Sequence, residues 1–396
     1  MNRALRTSQY LAFLGLGLTM SLLGPLLPAI RAQVPMSYLE AGLVLSGQFL
    51  GMLVSVPPGG HLADRIGRKA FLLGSAVLSV AGLVASALAP GFGALLAAAV
   101  VTGVGSGGFE VGVNAVELDH VGAGAGRAMN LLHFFYGVGA IAGPVLAAAT
   151  LAAGLDWRAA FLAAAALPAV VGLVLLPQDL RRAGPAAVYD QAAVYRSPAL
   201  WRYALVVALY VALETSAFGW AASFWEQRGA PFLPAALVAS LFWTTLTIGR
   251  LLCGGLADRM GLARFVRRSA AAALLVCAAW MAWPTPWVTL ASLVLLGLAL
   301  SGIFPTTMAL VTEAFPGHAG MVVAFLAVFA SLGGFAGPTL GGRAGAGHAG
   351  GRALGAKGHR SPSPSRRSAS ARRHRLGRDL RRGTAAPPLT PGGCSS

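Results

Sequence analysis

Four ionisable side chains stand inside otherwise apolar stretches: Glu110, His133, Glu214 and Arg250. A charged group in hydrocarbon is costly and normally faces a cavity or a partner, so these four mark where chemistry is to be sought. Glu110 and Asn114 stand at i, i+4 and share one helix face, which Glu117 continues. A carboxyl placed there can take up and release a proton. Asn130 and His133, at i, i+3, would present polar edges to the same cavity, and Gln48 would join them. Glu214 is a second group able to titrate. The bland alternatives stay open at this stage: Glu110 as a hydrogen-bonded packing residue, His133 as a satisfied core histidine, and Glu214 with Arg250 as a pair that only neutralises itself.

Aromatic residues add a second signal. Trp243, Trp220, Phe134 and Tyr136 could stack on a pyranose ring in a central cavity, or could simply pack. Trp225, Trp280, Trp283 and Trp287 fall near the ends of apolar runs and are expected in an interfacial belt. Gly103-Val-Gly105-Ser-Gly-Gly108 satisfies GxGxxG, but it lies inside an apolar run with no strand before it, so it is not a dinucleotide site. No GxxxxGK[ST], GxSxG or HExxH motif occurs, so neither ATP-driven work nor hydrolysis is expected of this chain. No cofactor or metal is expected. Cys253, Cys277 and Cys394 form no CxxC pattern, and the first two read as small hydrophobes.

What positions these groups is a series of apolar runs. Hydrophobic residues make up 56% of the 396 and charged residues 11%, against about a quarter charged in a soluble chain. Runs of about 20 apolar residues span a bilayer as helices, because only internal hydrogen bonding satisfies the backbone there. Spans are predicted at 8–30, 38–59, 70–89, 92–116, 128–152 and 157–176, then at 201–225, 232–253, 266–284, 287–312 and 319–341. A polar stretch, 177–200, joins the two sets. No cleavable signal peptide is expected, since the first run reaches residue 30.

The two sets are copies. A constant separation of 194 residues carries Gly60-His-Leu-Ala-Asp64-Arg65-Ile-Gly67-Arg68 onto Gly254-Gly-Leu-Ala-Asp258-Arg259-Met-Gly261. It also carries Gly103 and Gly108 onto Gly297 and Gly302, and Gly139…Gly143-Pro144 onto Gly333…Gly337-Pro338. Basic residues between spans gather on one side, including Arg65, Arg68, Lys69, Arg127, Arg259, Arg264, Arg267 and Arg268, while the other side holds Arg31, Arg158 and Arg228. The bias places the N-terminus in the cytosol.

The repeat calls for a twelfth span near 351–370, the image of 157–176. That stretch carries Arg352, Lys357, Arg360, Arg366 and Arg367, and each arginine near a bilayer centre costs about 3 kcal/mol. Residues 343–396 hold 12 of the 30 Lys+Arg and one acid, Asp379. They are expected to be a disordered basic tail, out of frame after Gly342 and therefore not a nucleic-acid-binding element.

Gly60…Asp64-Arg65…Gly67-Arg68-Lys69, with Asp258-Arg259 as its echo, resembles the loop signature of the major facilitator superfamily. The resemblance covers residues 1–342 and implies an all-α polytopic membrane protein of two pseudo-twofold-related six-helix bundles: a first half at 1–176, a linker at 177–200 and a second half at 201–342, lacking its last helix. It implies that Gly60, Asp64, Arg65, Gly67, Arg68, Asp258 and Arg259 form a cytoplasmic gate, with Asp64 bonding across the halves. More narrowly, Gly108-Phe-Glu110-Val-Gly-Val-Asn114 and Asn130-Leu-Leu-His133 resemble the fucose-permease branch. That implies a proton-coupled symporter of a sugar or small polar metabolite, monomeric, in a bacterial inner membrane. Glu110 and Glu214 would carry the proton, and Gln48, Asn114, Asn130, His133, Trp243 and Arg250 would bind substrate. The first span departs from that branch, having no acid between Leu11 and Ile30. Proton-driven drug efflux is the alternative, and a non-transporting receptor or scaffold a further one.

Overall fold

The computed structural model describes residues 3–121, 125–180, 194–228, 233–315 and 318–358. Its first half contains α1 (Arg3–Gln33), α2 (Tyr38–Ile66), α3 (Arg68–Leu88), α4 (Phe92–Val121), α5 (Ala125–Ala152) and α6 (Trp157–Leu175). The second contains α7 (Pro198–Gln227), α8 (Ala235–Met260), α9 (Leu262–Ala282), α10 (Pro286–Leu300), α11 (Ile303–Ala314) and α12 (Ala319–Gly358). Local chemistry starts these helices. Ser37 and Glu40 close a capping box at α2, Asp156 caps α6 through the Arg158 amide, and Thr285 caps α10 ahead of Pro286.

Eleven helical segments among the described residues are long and apolar enough to cross a membrane, α10 and α11 counting as one, Pro286–Ala314. They coincide with the eleven predicted spans. The Gly60–Arg65 signature, expected as a loop, is instead the last part of α2. Nothing after Gly60 breaks the helix until Gly67, which has φ 89°, and Arg68 opens α3 at once. Gly261, the repeat image of Gly67, divides α8 from α9 with φ 81°. Only glycine holds such a backbone without strain. Gly67→Ala and Gly261→Ala are each expected to cost about 1–3 kcal/mol, read as a lower thermal midpoint in detergent. Unchanged midpoints for both would contradict that.

The same separation of 194 residues carries contacts onto contacts. Gly103 of α4 lies against the Gln48 carbonyl of α2, and Gly297 of α10 against the Phe242 carbonyl of α8. Gly139 meets the Leu14 carbonyl as Gly333 meets that of Ala208, and Gly143 meets Leu18 as Gly337 meets Ala212. Gly108 faces the Phe71 ring and Gly302 the Phe265 ring. Every partner pair is itself 194 residues apart. Between the halves α5 packs on α8, while Gly42 and Tyr38 of α2 touch Pro338 and Gly342 of α12. Exchanging each helix for its image turns one contact into the other, as a twofold relation requires.

Residues Met1–Ala346 form one compact unit holding both halves. Helical backbone continues past Gly342 to Gly358, where a break into tail was expected. The stretch Arg343–Gly358 has no proline to end the helix, although its glycines outnumber its alanines and disfavour it. The rest of the expected tail, 359–396, and most of the linker, 181–193, lie outside the described residues.

Candidate functional site

A cavity of about 620 Å³ lies between the halves, lined by α1, α2, α4, α5, α7, α8, α9, α11 and α12. Along α8 its wall runs from Trp243 to Asp258, and along α7 from Tyr210 to Phe218. It therefore occupies the middle of the bundle and reaches the end that carries the Asp64 and Asp258 signatures, here called the basic end.

The opposite end is sealed by contacts between halves. The Trp220 Nε1 donates to the Pro338 carbonyl at 3.1 Å, and its ring packs against Tyr38. The Gln227 Nε2 donates to the Tyr38 hydroxyl at 3.1 Å, and the Thr339 and Ser46 hydroxyls bond at 2.8 Å. Trp220, expected to stack on a substrate ring, belongs to this seal: two residues of α7 beyond the cavity wall, it faces α2 and α12.

Lining residues come in repeat-related pairs: Leu16 with Tyr210, Met20 with Glu214, Phe49 with Trp243, Val56 with Arg250, Glu110 with Phe304 and His133 with Ala327. Both members of each pair face the cavity, so it lies on the axis relating the halves. Their chemistry is not repeated. The first half supplies Glu110 and His133, and the second supplies Tyr210, Glu214 and Arg250, each ionisable group answered by an apolar or aromatic mate.

In the second half Tyr210 donates its hydroxyl proton to Glu214 Oε1 at 2.7 Å, and Arg250 Nη2 stands 3.9 Å from the same oxygen. The ion pair is longer than a hydrogen bond. Tyr210 and Glu214 lie one turn apart on α7, a spacing visible in the sequence but overlooked there. Across the cavity, the His133 ring stands edge-on to Phe13 at 5.4 Å, and Tyr136 stands edge-on to Trp243 at 5.8 Å. Phe134 also lines the cavity.

Of the residues the sequence proposed, Glu110, His133, Glu214, Trp243, Arg250 and Asp258 line this cavity. Gln48 does not: it is buried, and its amide donates to the Thr19 carbonyl of α1 at 3.2 Å. Asn114 is not part of the wall either, and its Oδ1 is buried with no hydrogen-bond partner among the described residues. The side chain of Asn130 lies outside the described residues. Trp225, expected in an interfacial belt, is buried and donates to the Leu233 carbonyl, whereas Trp283 and Trp287 are exposed.

At the basic end Arg68 Nη1 pairs with Asp64 Oδ1 at 3.0 Å. Asp64 was expected to bond across the halves; here it is engaged within its own half, at the end to which the cavity extends. Arg65 and Arg259 are exposed. Gly60 has open space where a side chain would stand, so no close approach requires glycine there.

Three comparisons complete the picture. The profile described as Major Facilitator Superfamily matches residues 10–338. The chain is 34% identical over 139 residues to the sodium-dependent glucose transporter 1A of Mus musculus, covering 35% of this chain and 32% of that protein. It is 31% identical over 176 residues to the 3-(3-hydroxy-phenyl)propionate transporter of Escherichia coli (strain K12), covering 44% and 42%. The chain thus matches only 32% and 42% of these relatives' length. Among solved structures, the nucleoside transporter NupG superposes with a TM-score of 0.70 at 17% identity, over 87% of this chain and 91% of that one.

Proposed function

We propose that this chain, which belongs to the Major Facilitator Superfamily, carries a sugar or another small polar metabolite across the membrane together with protons. The single observation behind this reading is the cavity on the repeat axis: it reaches one end, is sealed at the other, and is lined by both Glu110 and Glu214. Rocking of one half against the other would close the first end and open the second, exposing the same site alternately.

In this reading Glu110 is the coupling carboxyl. It faces the cavity from the apolar middle of α4 and binds its proton from whichever side has access. Glu214, held by Tyr210 beside Arg250, is the second titrating group. The basic end faces the cytosol, as the arginine bias requires, so the conformation is inward-open. The spacing of Glu110 and Asn114 supports the fucose-permease branch, and the absence of an acid in α1 counts against it. A bacterial inner membrane and a monomeric state belong to the same proposal.

Proton-driven efflux is the second reading, suggested by the resemblance of Gly333…Gly337-Pro338-Thr-Leu-Gly341-Gly342 in α12 to the proline-kinked helix motif of superfamily drug antiporters. Gly333 and Gly337 lie against the backbone of α7, a packing role that serves either direction. Purified protein in liposomes with an acidic exterior separates the two. Symport accumulates labelled solute inside, and antiport expels it.

A further inference from the structure

The cavity carries a feature that a neutral sugar would leave unused. Among the described residues that line it, Arg250 is the sole lysine or arginine, and it is not fully engaged. Its guanidinium interacts with the Tyr210 hydroxyl and stands 3.9 Å from Glu214 Oε1, but its Nε has no hydrogen-bond partner among the described residues. Two further cavity residues on the same face of α8, Thr247 and Trp243, have a buried hydroxyl and a buried indole N–H without partners. Along the helix they stand about 4.5 Å and 10.5 Å from Arg250. A row of unclaimed donors with a guanidinium at one end suits a solute that is rich in acceptors and negative at one end.

The remaining wall narrows the class further. Phe49, Tyr136, Phe218 and Phe304 give the wall aromatic surface that suits an apolar body, while Thr215, Thr306 and Ser331 also line it. A carboxylate accepts at both oxygens and donates nothing, which matches the planar fork of a guanidinium.

We propose that the transported solute is a small organic carboxylate with an apolar or aromatic body, seated through its carboxylate on Arg250. The inference deepens the reading of this cavity as a proton-linked transport site and rests on it. Seating the anion brings a further negative charge among Glu110 on α4, His133 and Tyr136 on α5, Tyr210 and Glu214 on α7, and Arg250 and Asp258 on α8. A proton taken from solvent by Glu110 offsets that charge, and no bond in the solute changes. Binding therefore tightens as pH falls, until the solute's own carboxylate is protonated.

Calorimetric titration of the full chain in detergent tests this with three probes: 3-phenylpropanoate, its primary amide and D-glucose. The carboxylate is expected to bind at least about thirtyfold more tightly than the amide, and the preference is expected to vanish in the double variant Glu214→Gln with Arg250→Gln. That variant removes both charges together and leaves no lone buried ion. The unmutated comparison of acid with amide stands even if the variant fails to fold. Equal binding of the amide, tighter binding of glucose, or no heat from the carboxylate at millimolar concentration in cooperatively melting protein would each overturn the proposal. Carboxylate binding without gradient-driven uptake would uphold it and instead overturn the proton-coupled reading.

Discussion

Glu110→Gln should abolish solute accumulation driven by a proton gradient while leaving exchange of labelled for unlabelled solute at equal pH intact. The reasoning is thermodynamic. With one coupled proton, a gradient of about two pH units drives accumulation up to about a hundredfold, a tenfold ratio for each 1.4 kcal/mol. Glutamine keeps the size and much of the hydrogen bonding of a protonated glutamate but cannot release a proton. The loaded carrier can therefore still reorient with solute bound, and exchange continues. Return of the empty, deprotonated carrier is what fails, so the accumulation ratio falls to about one. Uptake measured in liposomes under an imposed gradient, for the wild type and the variant, checks this. A variant that still concentrates solute would remove Glu110 from the coupling.

The second large effect concerns packing. A side chain at Gly103 would drive into the Gln48 carbonyl, and one at Gly297 would meet the Phe242 carbonyl and the Thr245 hydroxyl. Backbone cannot step aside as a flexible side chain can, so Gly103→Val and Gly297→Val must each separate two helices. We expect each to cost about 3 kcal/mol or more, the upper end for overpacked cores, and to lower the thermal midpoint in detergent by several degrees. Gly74→Ala is the control. Nothing stands within 4 Å of the added carbon, and the change should stabilise α3 by about 0.5–1 kcal/mol. If all three variants melt together, the repeat-related contacts contribute nothing.

How far the sequence could be read follows from the cost of each residue in a membrane. Ionised groups such as Glu110, Glu214 and Arg250 have few affordable places in an apolar helix, so composition alone directed them to a cavity. Gln48 and Asn114 misled because a neutral amide is cheaper to bury. Gln48 satisfies itself on a neighbouring carbonyl and needs no water-filled space. Tyrosine in an apolar run reads as packing, so Tyr210 is told apart only by its one-turn spacing from Glu214. Trp220 illustrates the remaining limit: helical phase and depth, which periodicity leaves loose by a turn, decide between cavity and seal. The glycines did better, because a residue that admits no side chain constrains its neighbour as much as itself. The 194-residue register of Gly103, Gly139 and Gly143 accordingly reappeared as a register of contacts.

Rigid rocking of two copied halves about one shared chamber is the central claim, and paired distance measurements address it most directly. Spin labels would be placed at Ile66 and Arg264 for the basic end, and at Leu155 and Trp287 for the opposite end, all exposed, in protein with Cys253, Cys277 and Cys394 replaced. On adding solute at low pH, the account predicts that a population appears in which the first distance shortens while the second lengthens. Distances that change in the same sense, or that do not respond to solute and protons at all, would contradict it.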